Sequence, residues 1–459
     1  MNESIVEALK SIVGEDWVIS NPELVKSYLE DETGLGTKPK PVTDIVVVKP
    51  ANTQEVSEIL KLANREKVPI FIRGGGTGLS GGCIPTKPGI VMSMERMKEL
   101  EIDKENLMAI VGAGVTLGEL LEAAKKEGLF FPPHPGDEGA QIGGLIACNA
   151  SGSRAVRTGP IRNYVLGLEV VLPTGEILNL GGKLVKDNTS ASKLMHIFIG
   201  TEGIFGVITK AIIRLSPLYT ATATMIVPFN DRHSALNVVS KILQSGIIPL
   251  GVEYVERPVI EKAAEHVGLE WPCKEGSVFL IFMLTEPSEE ALYVELEKIA
   301  SICKEYGSLE PLLAESSEEQ AVILKIRSST WPALKPILYD GLDVTVPPSN
   351  LGKLLDEINK IAKKYGINIY ATGHAADGNV HHSIPIVEGW GKEQYEKVID
   401  EIYETAIRLG GVISGEHGIG EVKKKHLKLN LSNEAIEILR KLKKVLDPNN
   451  ILNPGKVIP

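Results

Sequence analysis

The sequence predicts an α+β protein composed of two or three domains. Its 459 residues are too many for one ordinary hydrophobic core. From Pro41 onwards, short apolar runs alternate with segments of helical periodicity, as expected for strands and helices that share a sheet. After Pro217 the pattern begins again with longer apolar strands and longer helices. We therefore expect one α+β unit before about Pro217 and a second one after it.

Apolar spacing places the elements of the first unit. One or two short helices are expected within residues 1–40. Strands are predicted at 45–48, 68–73, 109–112, 165–172 and 204–215, and helices at 53–66 and 116–127. The strands at 165–172 and 204–215 are expected to belong to a mixed sheet.

The second unit repeats a strand–helix–strand pattern, which predicts a second sheet with helices on one side. Gly410 and Gly411 are expected to end its last helix, because glycine readily adopts the left-handed conformation that closes a helix. Strands are predicted at 222–227, 277–284, 343–346 and 368–372, with helices at 234–244, 289–306, 351–365, 392–409 and near 433–446.

The composition of the chain excludes several classes of function and indicates where the protein is located. The formal net charge of −10 argues against a nucleic-acid groove and against a polybasic membrane patch. Residues 1–19 lack a signal-peptide core, and no apolar run approaches the ~18 residues that span a bilayer. We therefore expect a cytoplasmic protein without a transmembrane segment, with peripheral membrane association only through a partner.

A glycine-rich loop, residues 73–82, follows a predicted strand. Residues 76–81 fit the Gly-x-Gly-x-x-Gly pattern of Rossmann dinucleotide sites. Such a loop must open into a helix, and Pro85 and Pro88 forbid that helix. We therefore reject an NAD-binding Rossmann fold and expect a loop whose successive backbone N–H groups bind a pyrophosphate directly.

Two more glycine-rich segments, 132–153 and 200–208, are candidate walls of the same cofactor site. Each segment taken alone is equally well explained by structural turns. Their succession along the chain, ahead of a separate cluster of His and Glu, favours a cofactor site.

A predicted hairpin brings two histidines together. Asp377-Gly378 is a strong two-residue turn signal, and closing the hairpin there pairs His374 directly with His381. Directly opposed residues have Cβ atoms about 4.5–5.5 Å apart, close enough to ligate one metal ion. If the turn is shifted by one residue, His381 faces Ala376 and this argument fails. The alternative interpretation is that these are structural histidines of a hairpin.

The pair Glu416-His417 follows in a second glycine-rich stretch, Ser-Gly-Glu-His-Gly-Ile-Gly. A carboxylate can complete a metal site formed by two imidazoles. A further imidazole, with an ordinary pKa of about 6.5, can serve as a general base. In the alternative interpretations, Glu416 caps a helix, and His417 is either a fourth metal ligand or a hydrogen-bond partner of a ligand.

The motifs of the chain occur in an order that resembles a known family. They are the glycine loop after a strand, Ile-Gly-Gly-x-x-Ala-x-Asn-Ala-x-Gly, Gly-Thr-Glu-Gly-x-x-Gly-Val-Ile, Gly-His-x-x-Asp-Gly-Asn-x-His, Glu-His-Gly-x-Gly and the terminal Asn-Pro-Gly-Lys. From about Pro41 to Pro459, the chain resembles the FAD-dependent 2-hydroxyacid dehydrogenases of the vanillyl-alcohol-oxidase/p-cresol-methylhydroxylase superfamily. This group includes D-lactate dehydrogenase, the flavin subunit of glycolate oxidase and D-2-hydroxyglutarate dehydrogenase.

The resemblance implies a fold and a division into domains. Residues 1–217 would form a two-subdomain FAD-binding domain of the p-cresol-methylhydroxylase type. Residues 218–410 would form an α+β cap domain, with an antiparallel sheet covered by helices and with the metal hairpin. Residues 411–459 would be a C-terminal segment that returns to the FAD domain.

The resemblance also implies the residues of the site. Pyrophosphate contacts are expected at Arg73, Gly74, Gly75, Gly76, Thr77, Gly78, Leu79, Ser80, Gly81 and Gly82, and contacts along the flavin and the adenine at Pro133, Gly143, Gly144, Asn149, Ser151, Gly159, Glu202, Gly203, Ile208 and Asn453. The implied metal ligands are His374, His381 and Glu416, the implied base is His417, and Arg327 is implied to bind the substrate carboxylate. Zn²⁺ is the favoured ion, although Mn²⁺ or Fe²⁺ accepts the same ligands.

Three further residues refine what the resemblance implies. Thr77 stands where covalently flavinylated relatives carry His, so noncovalent FAD is expected. Relatives that act on dicarboxylates carry a Lys shortly before their counterpart of Asp343, where this chain has Gly341-Leu342, and a hydroxyl side chain where it has Trp331. The expected reaction is therefore oxidation of a D-2-hydroxyacid of the D-lactate or glycolate type to the 2-oxoacid, by hydride transfer to the flavin.

The expected partners follow from the same chemistry. The cysteines of the chain, Cys83, Cys148, Cys273 and Cys303, lack the spacing of iron–sulfur ligands or of a disulfide framework. Electrons would therefore leave to an electron-transfer flavoprotein, an iron–sulfur subunit, a quinone or a cytochrome. A homodimer is the assembly considered. The rival functions are an FAD-binding accessory or electron-transfer subunit of a larger oxidase, and a metallohydrolase without flavin.

Overall fold

The computed structural model describes residues 3–189 and 193–459. Up to residue 217 the strands are β1 Val18–Ile19, β2 Ile45–Val48, β3 Ile70–Arg73, β4 Gly89–Ser93, β5 Leu100–Asp103, β6 Met108–Gly112, β7 Leu129–Phe130, β8 Val165–Val171, β9 Ile177–Gly181, β10 Val207–Arg214 and β11 Ser216–Pro217. The described helices of this part are α1 Glu3–Val13, α2 Pro22–Val25, α3 Thr53–Glu66, α4 Leu117–Lys126, α5 Ile142–Cys148 and α6 Ala155–Thr158.

The first sheet has the strand order β1-β2-β4-β3 and is mixed. β2 and β3 run parallel to β4, whereas β1 is antiparallel to β2. Parallel strands require crossover connections: α3 returns the chain from β2 to β3, which lies on the other side of β4, and residues 74–88 connect the neighbours β3 and β4. This helix occupies the predicted residues 53–66 and buries Val56, Ile59 and Leu60 in the core of the sheet.

The second sheet has the order β5-β6-β10-β8-β9 and is antiparallel throughout. The expectation that residues 165–172 and 204–215 lie in a mixed sheet was therefore wrong. The connections explain the difference. A turn in which the N–H of Gly175 donates to the carbonyl of Leu172 joins β8 to β9, and so short a connection permits only antiparallel pairing.

After residue 217 the strands are β12 Ala221–Phe229, β13 Gly251–Glu256, β14 Val278–Glu286, β15 Leu312–Ala314, β16 Leu338–Thr345, β17 Tyr370–His374 and β18 Asn379–Pro385. The helices are α7 Arg232–Gln244, α8 Arg257–His266, α9 Glu289–Glu305, α10 Ser317–Ser328, α11 Thr330–Leu334, α12 Leu351–Tyr365, α13 Lys392–Arg408, α14 Leu427–Asn430 and α15 Asn433–Leu446. Within residues 3–189 and 193–459, no helix is long and apolar enough to span a bilayer.

The cap sheet has seven antiparallel strands in the order β15-β12-β14-β13-β17-β18-β16. One face packs against α7, α9, α12 and α13, and the other against α8, α10 and α11. The expectation of helices on one side was therefore wrong. Residues 278–284 of the interior strand β14 are all buried and apolar, so both faces of the sheet must be covered.

The C-terminal segment lies against the first sheet. The N–H of Ile70 donates to the carbonyl of Ile451 at 2.7 Å, and the N–H of Asn453 donates to the carbonyl of Ile70 at 2.8 Å. Earlier in the segment, the hydroxyl of Ser80 in the glycine loop donates to the carbonyl of His417 at 3.0 Å. These contacts hold the Glu-His loop beside the glycine loop. The division into domains at residues 217 and 410 stays a prediction.

Candidate active site

A cavity of about 1080 Å³ is lined by residues of both units. Its walls are the glycine loop, α5 with the loop before it, the turn around residue 202, the α10–α11 region of the cap and the hairpin strands. Ordinary ligand pockets occupy about 300–1,000 Å³. This cavity is therefore large enough for a dinucleotide and a small substrate together.

The glycine loop forms one wall of the cavity. Gly76 and Gly81 have φ values of +74° and +70°, in the region that favours glycine. Gly75 is required for a different reason, because a Cβ there would lie 2.6 Å from the carbonyl oxygen of Gly139. The loop runs into β4 at Gly89 without an intervening helix, which confirms the rejection of a Rossmann fold.

The opposite wall, around α5, fits a bound dinucleotide. A Cβ on Gly143 would lie 2.7 Å from the Cβ of Ala113, so the helix packs closely on the sheet. A Cβ on Gly144 would meet nothing within 4 Å, which leaves open space beside the start of the helix. Among the described residues, the buried Oε1 atom of Gln141 has no hydrogen-bond partner. A ligand in the cavity can supply both the missing contacts and the missing donor.

Most of the residues implied as cofactor contacts line the cavity. They are Gly74, Gly75, Gly76, Thr77, Gly78, Leu79, Ser80, Gly82, Gly143, Gly144, Ser151, Glu202, Gly203, Ile208 and Asn453. Arg73, Gly81, Pro133, Asn149 and Gly159 are not among the lining residues. The fold thus collects three separated glycine segments around one space, and the individual contacts stay predictions.

The implied contacts outside the lining shape the loops beside it. The Arg73 guanidinium donates to the carbonyl of Glu30 at 2.6 Å, which ties the N-terminal segment to the glycine loop. Asn149 has a φ of +51° and ends α5, and Gly159 has a φ of +68° and ends α6. The carbonyl of Gly81 accepts a hydrogen bond from Lys456 Nζ at 2.9 Å.

Glu202 and Asn453 join three segments at the cavity wall. The Glu202 carboxylate accepts the N–H groups of Ile419 and Gly420 at 2.7 and 2.9 Å. The Asn453 amide donates to the carbonyl of Glu202 at 2.8 Å and accepts the N–H of Ile72 at 3.0 Å. Burial raises the pKa of Glu202, and these backbone donors oppose that rise. The two side chains therefore tie the C-terminal loops to the turn around residue 202 and to the end of β3.

The hairpin closes in a register that differs from the prediction. His374 pairs with Asn379, and Thr372 pairs with His381. The loop between the strands is residues 375–378 rather than two residues. The prediction that His374 directly opposes His381 was therefore wrong.

A turn within residues 375–378 accompanies this register. The N–H of Gly378 donates to the carbonyl of His374 at 3.2 Å, and the carbonyl of Gly378 accepts the N–H of Val346, outside the hairpin, at 3.1 Å. The register differs from the predicted one by two residues, which leaves both histidines on the same face. The ring centroids of His374 and His381 lie 5.5 Å apart, so the structure still brings the two imidazoles together.

The implied metal ligands form a compact group. The Oε1 atom of Glu416 lies 3.3 Å from Nε2 of His374 and 3.3 Å from Nε2 of His381. The candidate ligand atoms all lie within 4.8 Å of one another. Bonds of about 2.1 Å in a tetrahedron place two ligand atoms about 3.4 Å apart, so the group fits a divalent ion such as Zn²⁺.

Electrostatics couple these ligands. Burial alone would lower the pKa of His374, but Glu253 and Glu416 outweigh it and raise that pKa well above its ordinary value. Burial alone would raise the pKa of Glu416, but His374 and His381 hold it well below its ordinary value. The protein thus stabilises one positive charge between carboxylates, and a divalent cation can replace it.

A second group of potential ligands, Asp343 with His381 and His417, is less suitable for an ion. The Oδ2 atom of Asp343 already accepts the N–H groups of Gly415, Glu416 and His417 at 3.0, 3.1 and 2.8 Å. Its Oδ1 atom accepts the Asn379 amide at 2.7 Å. Asp343 is therefore a buried acceptor that shapes the Glu-His loop, a role that the sequence analysis missed.

Sequence analysis also missed Glu253, which is 2% exposed. Its Oε1 atom lies 2.5 Å from Nδ1 of His374, and its Oε2 atom lies 2.5 Å from a terminal nitrogen of Arg327. A signal was present, because an acidic residue in the apolar strand Gly251–Glu256 is unusual unless it has buried partners.

His417 lies beside the ligand group. Its ring is stacked on that of His381, with centroids 4.9 Å apart, and its Nε2 atom lies 3.9 Å from Oε1 of Glu416. Burial lowers the pKa of His417 to about 4, His381 and Lys423 add to this effect, and Asp343 opposes it. The pKa thus lies below the expected 6.5, so the imidazole is neutral at neutral pH and is a weaker base than an exposed histidine.

Arg327 and Trp331 form the cap side of the cavity. Among the described residues, the buried Nε atom of Arg327 and the buried Nε1 atom of Trp331 have no hydrogen-bond partner. A side chain at Gly341 would collide with Trp331, since a Cβ there would lie 2.6 Å from the indole ring. The cap therefore offers unpaired donors beside a ring that limits the available space.

The cavity fits a dinucleotide cofactor, and comparison with known proteins specifies the class. The model of the FAD-linked oxidase C-terminal domain matches residues 218–457, just over half of the chain, and the model of an FAD binding domain matches residues 45–181. The chain therefore belongs to the FAD-linked oxidases. It binds FAD and is an oxidoreductase, and the cavity described above fits this cofactor.

Several curated relatives match nearly the whole chain. D-lactate dehydrogenase of Archaeoglobus fulgidus is 44% identical over 432 residues, which cover 94% of this chain and 95% of that protein. Glycolate oxidase subunit GlcD of Bacillus subtilis is 38% identical, with 90% and 88% coverage. D-lactate dehydrogenase of Anaerostipes hadrus is 32% identical, with 99% and 97% coverage.

Solved structures share the fold at low sequence identity. The structure of p-cresol methylhydroxylase with substrate bound superposes with a TM-score of 0.77 at 17% identity, covering 99% of this chain and 96% of that one. A structure of alkyldihydroxyacetonephosphate synthase gives a TM-score of 0.77 at 20% identity, with 99% and 86% coverage. The implied fold of the p-cresol-methylhydroxylase type, with an antiparallel cap sheet covered by helices, is thus confirmed.

Proposed function

We propose that this chain oxidises a short D-2-hydroxyacid, of the D-lactate or glycolate type, to the corresponding 2-oxoacid. The observation that carries the proposal is the convergence of Arg327, the His374/His381/Glu416 group and His417 on the FAD-sized cavity. The names of the relatives from A. fulgidus and B. subtilis point to the same substrate class. In this reaction FAD supplies the hydride acceptor, and a divalent ion supplies polarisation of the hydroxyl oxygen.

Arg327 is the residue proposed to bind the substrate carboxylate. Its Nε atom has no partner among the described residues, and an unpaired buried guanidinium donor is costly. A carboxylate matches the fork of guanidinium donors in geometry and in charge. Bound there, the substrate is oriented with its hydroxyl towards the ligand group.

His417 is proposed to accept the hydroxyl proton. The imidazole is neutral at neutral pH because burial depresses its pKa to about 4. Its Nε2 atom lies 3.9 Å from Glu416, so it borders the ligand group without belonging to the compact set of His374, His381 and Glu416. The His374/His381/Glu416 set is proposed to hold Zn²⁺, Mn²⁺ or Fe²⁺.

The shape of the cap supports a short substrate. Trp331 lies against Gly341 in the cavity wall, where a longer substrate side chain would have to pass. A second substrate carboxylate would lack its partner, because this chain has Gly341-Leu342 and Trp331 where relatives that act on dicarboxylates carry a Lys and a hydroxyl side chain. We therefore propose D-lactate or glycolate rather than a dicarboxylate. The reoxidant is proposed to be an electron-transfer flavoprotein, an iron–sulfur subunit, a quinone or a cytochrome.

The experiment is anaerobic mixing of the FAD-loaded protein with single substrates, followed through the visible absorbance of oxidised flavin. We expect D-lactate or glycolate to bleach the flavin, L-lactate to be inactive, and a 2-hydroxydicarboxylate to react more slowly. Arg327→Met should raise the substrate concentration for half-maximal rate by at least about tenfold, the loss of one charged hydrogen bond. The surface variant Arg408→Met is the matched control and should behave as the wild type.

Two results would overturn the proposal. If none of these acids bleaches the flavin while a reduced partner flavoprotein does, the chain is an electron-transfer subunit. If bleaching by D-lactate is unaffected by Arg327→Met, the proposed substrate orientation is wrong.

A further inference from the structure

Glu253 is a buried acid at the junction of two parts of the site that are otherwise separate. It lies in β13 and is directly opposite His374 of β17 in the strand register. At 2% exposure, a carboxylate is stable only with good hydrogen-bonded partners. Its Oε1 atom is hydrogen-bonded to Nδ1 of His374 at 2.5 Å, and its Oε2 atom forms an ion pair with a terminal nitrogen of Arg327 at 2.5 Å.

The contact with His374 has a consequence for metal binding. A carboxylate at Nδ1 holds the proton on that nitrogen and leaves the lone pair of Nε2 for a ligand. Nε2 is the atom that points to Glu416, at 3.3 Å. Glu253 therefore orients the ring and selects the nitrogen that faces the ion.

The contact with Arg327 has a consequence for the substrate. Glu253 engages one terminal nitrogen, and Thr330 Oγ1 accepts from the other at 3.2 Å. The Nε edge has no partner among the described residues. The guanidinium is thus fixed on two sides, with its remaining donor left for a ligand.

We propose that Glu253 is a positioning residue that couples the metal site to the substrate-carboxylate site, by holding His374 and Arg327 on opposite oxygens of one buried carboxylate. The inference rests on the proposed function. It adds that a single buried side chain fixes the positions of both the ligand His374 and Arg327.

The test compares FAD-loaded wild type with Glu253→Gln, which keeps the shape but removes the charge, and Glu253→Asp, which keeps the charge but shortens the reach. Glu256→Gln is the matched control, because Glu256 lies on the same strand yet is not among the residues that line the cavity. Zn²⁺ affinity is measured by competition with a chromogenic chelator. The kcat and KM for D-lactate are measured separately in Zn²⁺-saturated protein.

Glu253→Gln is expected to weaken Zn²⁺ binding about 10–100-fold, as for other groups that orient a ligand histidine. It should also raise KM at saturating Zn²⁺, because Arg327 is released. Glu253→Asp should weaken at least one of the two, since it cannot reach both partners. Glu256→Gln should change neither.

Wild-type Zn²⁺ affinity together with wild-type KM in Glu253→Gln would overturn the coupling role. If Glu253→Gln fails to retain FAD or to fold, Glu253→Asp decides, and wild-type values of both quantities in that variant overturn the role. Failure of the wild type itself to bind Zn²⁺ or to react with D-lactate is a different outcome, because it contradicts the proposed function before any variant is compared.

Discussion

The backbone nitrogen of His417 lies 2.8 Å from Oδ2 of Asp343, and this buried carboxylate shapes the loop that carries both Glu416 and His417. The same oxygen accepts the N–H groups of Gly415 and Glu416. Three successive amides thus converge on one negative charge. Burial alone would raise the pKa of Asp343, but His417, Lys423 and His381, with the backbone N–H of His417, hold that pKa well below its ordinary value. The side chain acts as an internal anion in a backbone nest.

Asp343→Asn should therefore disturb the whole loop. The asparagine side chain has only one accepting oxygen. It can accept from the backbone N–H groups or from the Asn379 amide, but not from both. Each buried donor left unpaired costs about 1–3 kcal/mol. We expect a lower melting temperature of the FAD-loaded protein and slower flavin reduction. Asp356→Asn, at a half-exposed ion pair with Arg232, is the control. Equal melting temperatures in wild type and Asp343→Asn would contradict this role.

Replacement of His417 by alanine separates a base from a ligand. If His417 accepts the proton, its loss should slow flavin reduction about 10²–10⁴-fold while FAD and metal content stay unchanged. Rapid mixing gives the rate, and elemental analysis gives the metal content. A loss of metal that parallels the loss of rate would make His417 a ligand instead.

The flavin should be bound noncovalently. Thr77 lies in the cavity wall at the position expected for a flavin-linking histidine in related proteins, and a threonine hydroxyl does not form that linkage. Acid precipitation should release all yellow colour into the supernatant. Colour retained in the washed pellet would refute noncovalent binding.

Asp340 should make stability depend on pH. Burial raises its pKa from an ordinary 3.8 to about 6, so the folded protein holds a proton that the unfolded chain has already lost. Between about pH 4 and pH 6 the native state binds more protons, so this carboxyl lowers stability as the pH rises. Two pKa units correspond to about 3 kcal/mol at pH 7.

Asp340→Asn should remove this effect, because the amide does not ionise. The free energy of unfolding of the variant, relative to wild type, should increase by about 3 kcal/mol from pH 4 to pH 7. Denaturant titrations of the FAD-loaded proteins at both pH values provide the comparison. The same pH dependence in both proteins would show that Asp340 is not the responsible group.

Features set by local sequence could be predicted, whereas features set by tertiary contacts could not. The helices at 53–66, 351–365 and 433–446 were predicted with their observed bounds, because amphipathic spacing and capping are local. The helix at 392–409 ends as predicted, with the N–H of Gly411 donating to the carbonyl of Ala406. The predicted hairpin register was wrong because residues 375–378 form a four-residue turn, whose Gly378 carbonyl accepts the N–H of Val346 from outside the hairpin.

The site shows the same limit. Motifs identified His374, His381, Glu416 and His417, since these residues lie in distinctive local sequences. Glu253 was missed because its partners are 74 and 121 positions away, and the sequence of its strand does not indicate which residues they are. Asp343 was missed as a loop anchor for the same reason. Buried acids in apolar strands are the sequence signal that would have drawn attention to both.

The central claim is that a metal-assisted site oxidises a 2-hydroxyacid with bound FAD, and one measurement tests it most directly. FAD-loaded protein is stripped with a chelator, divided, and one half is reloaded with Zn²⁺ before anaerobic rapid mixing with D-lactate or glycolate. We predict that only the reloaded half reduces its flavin rapidly, with FAD content equal in both halves. Equally rapid flavin reduction in protein shown by elemental analysis to be free of metal would contradict the account.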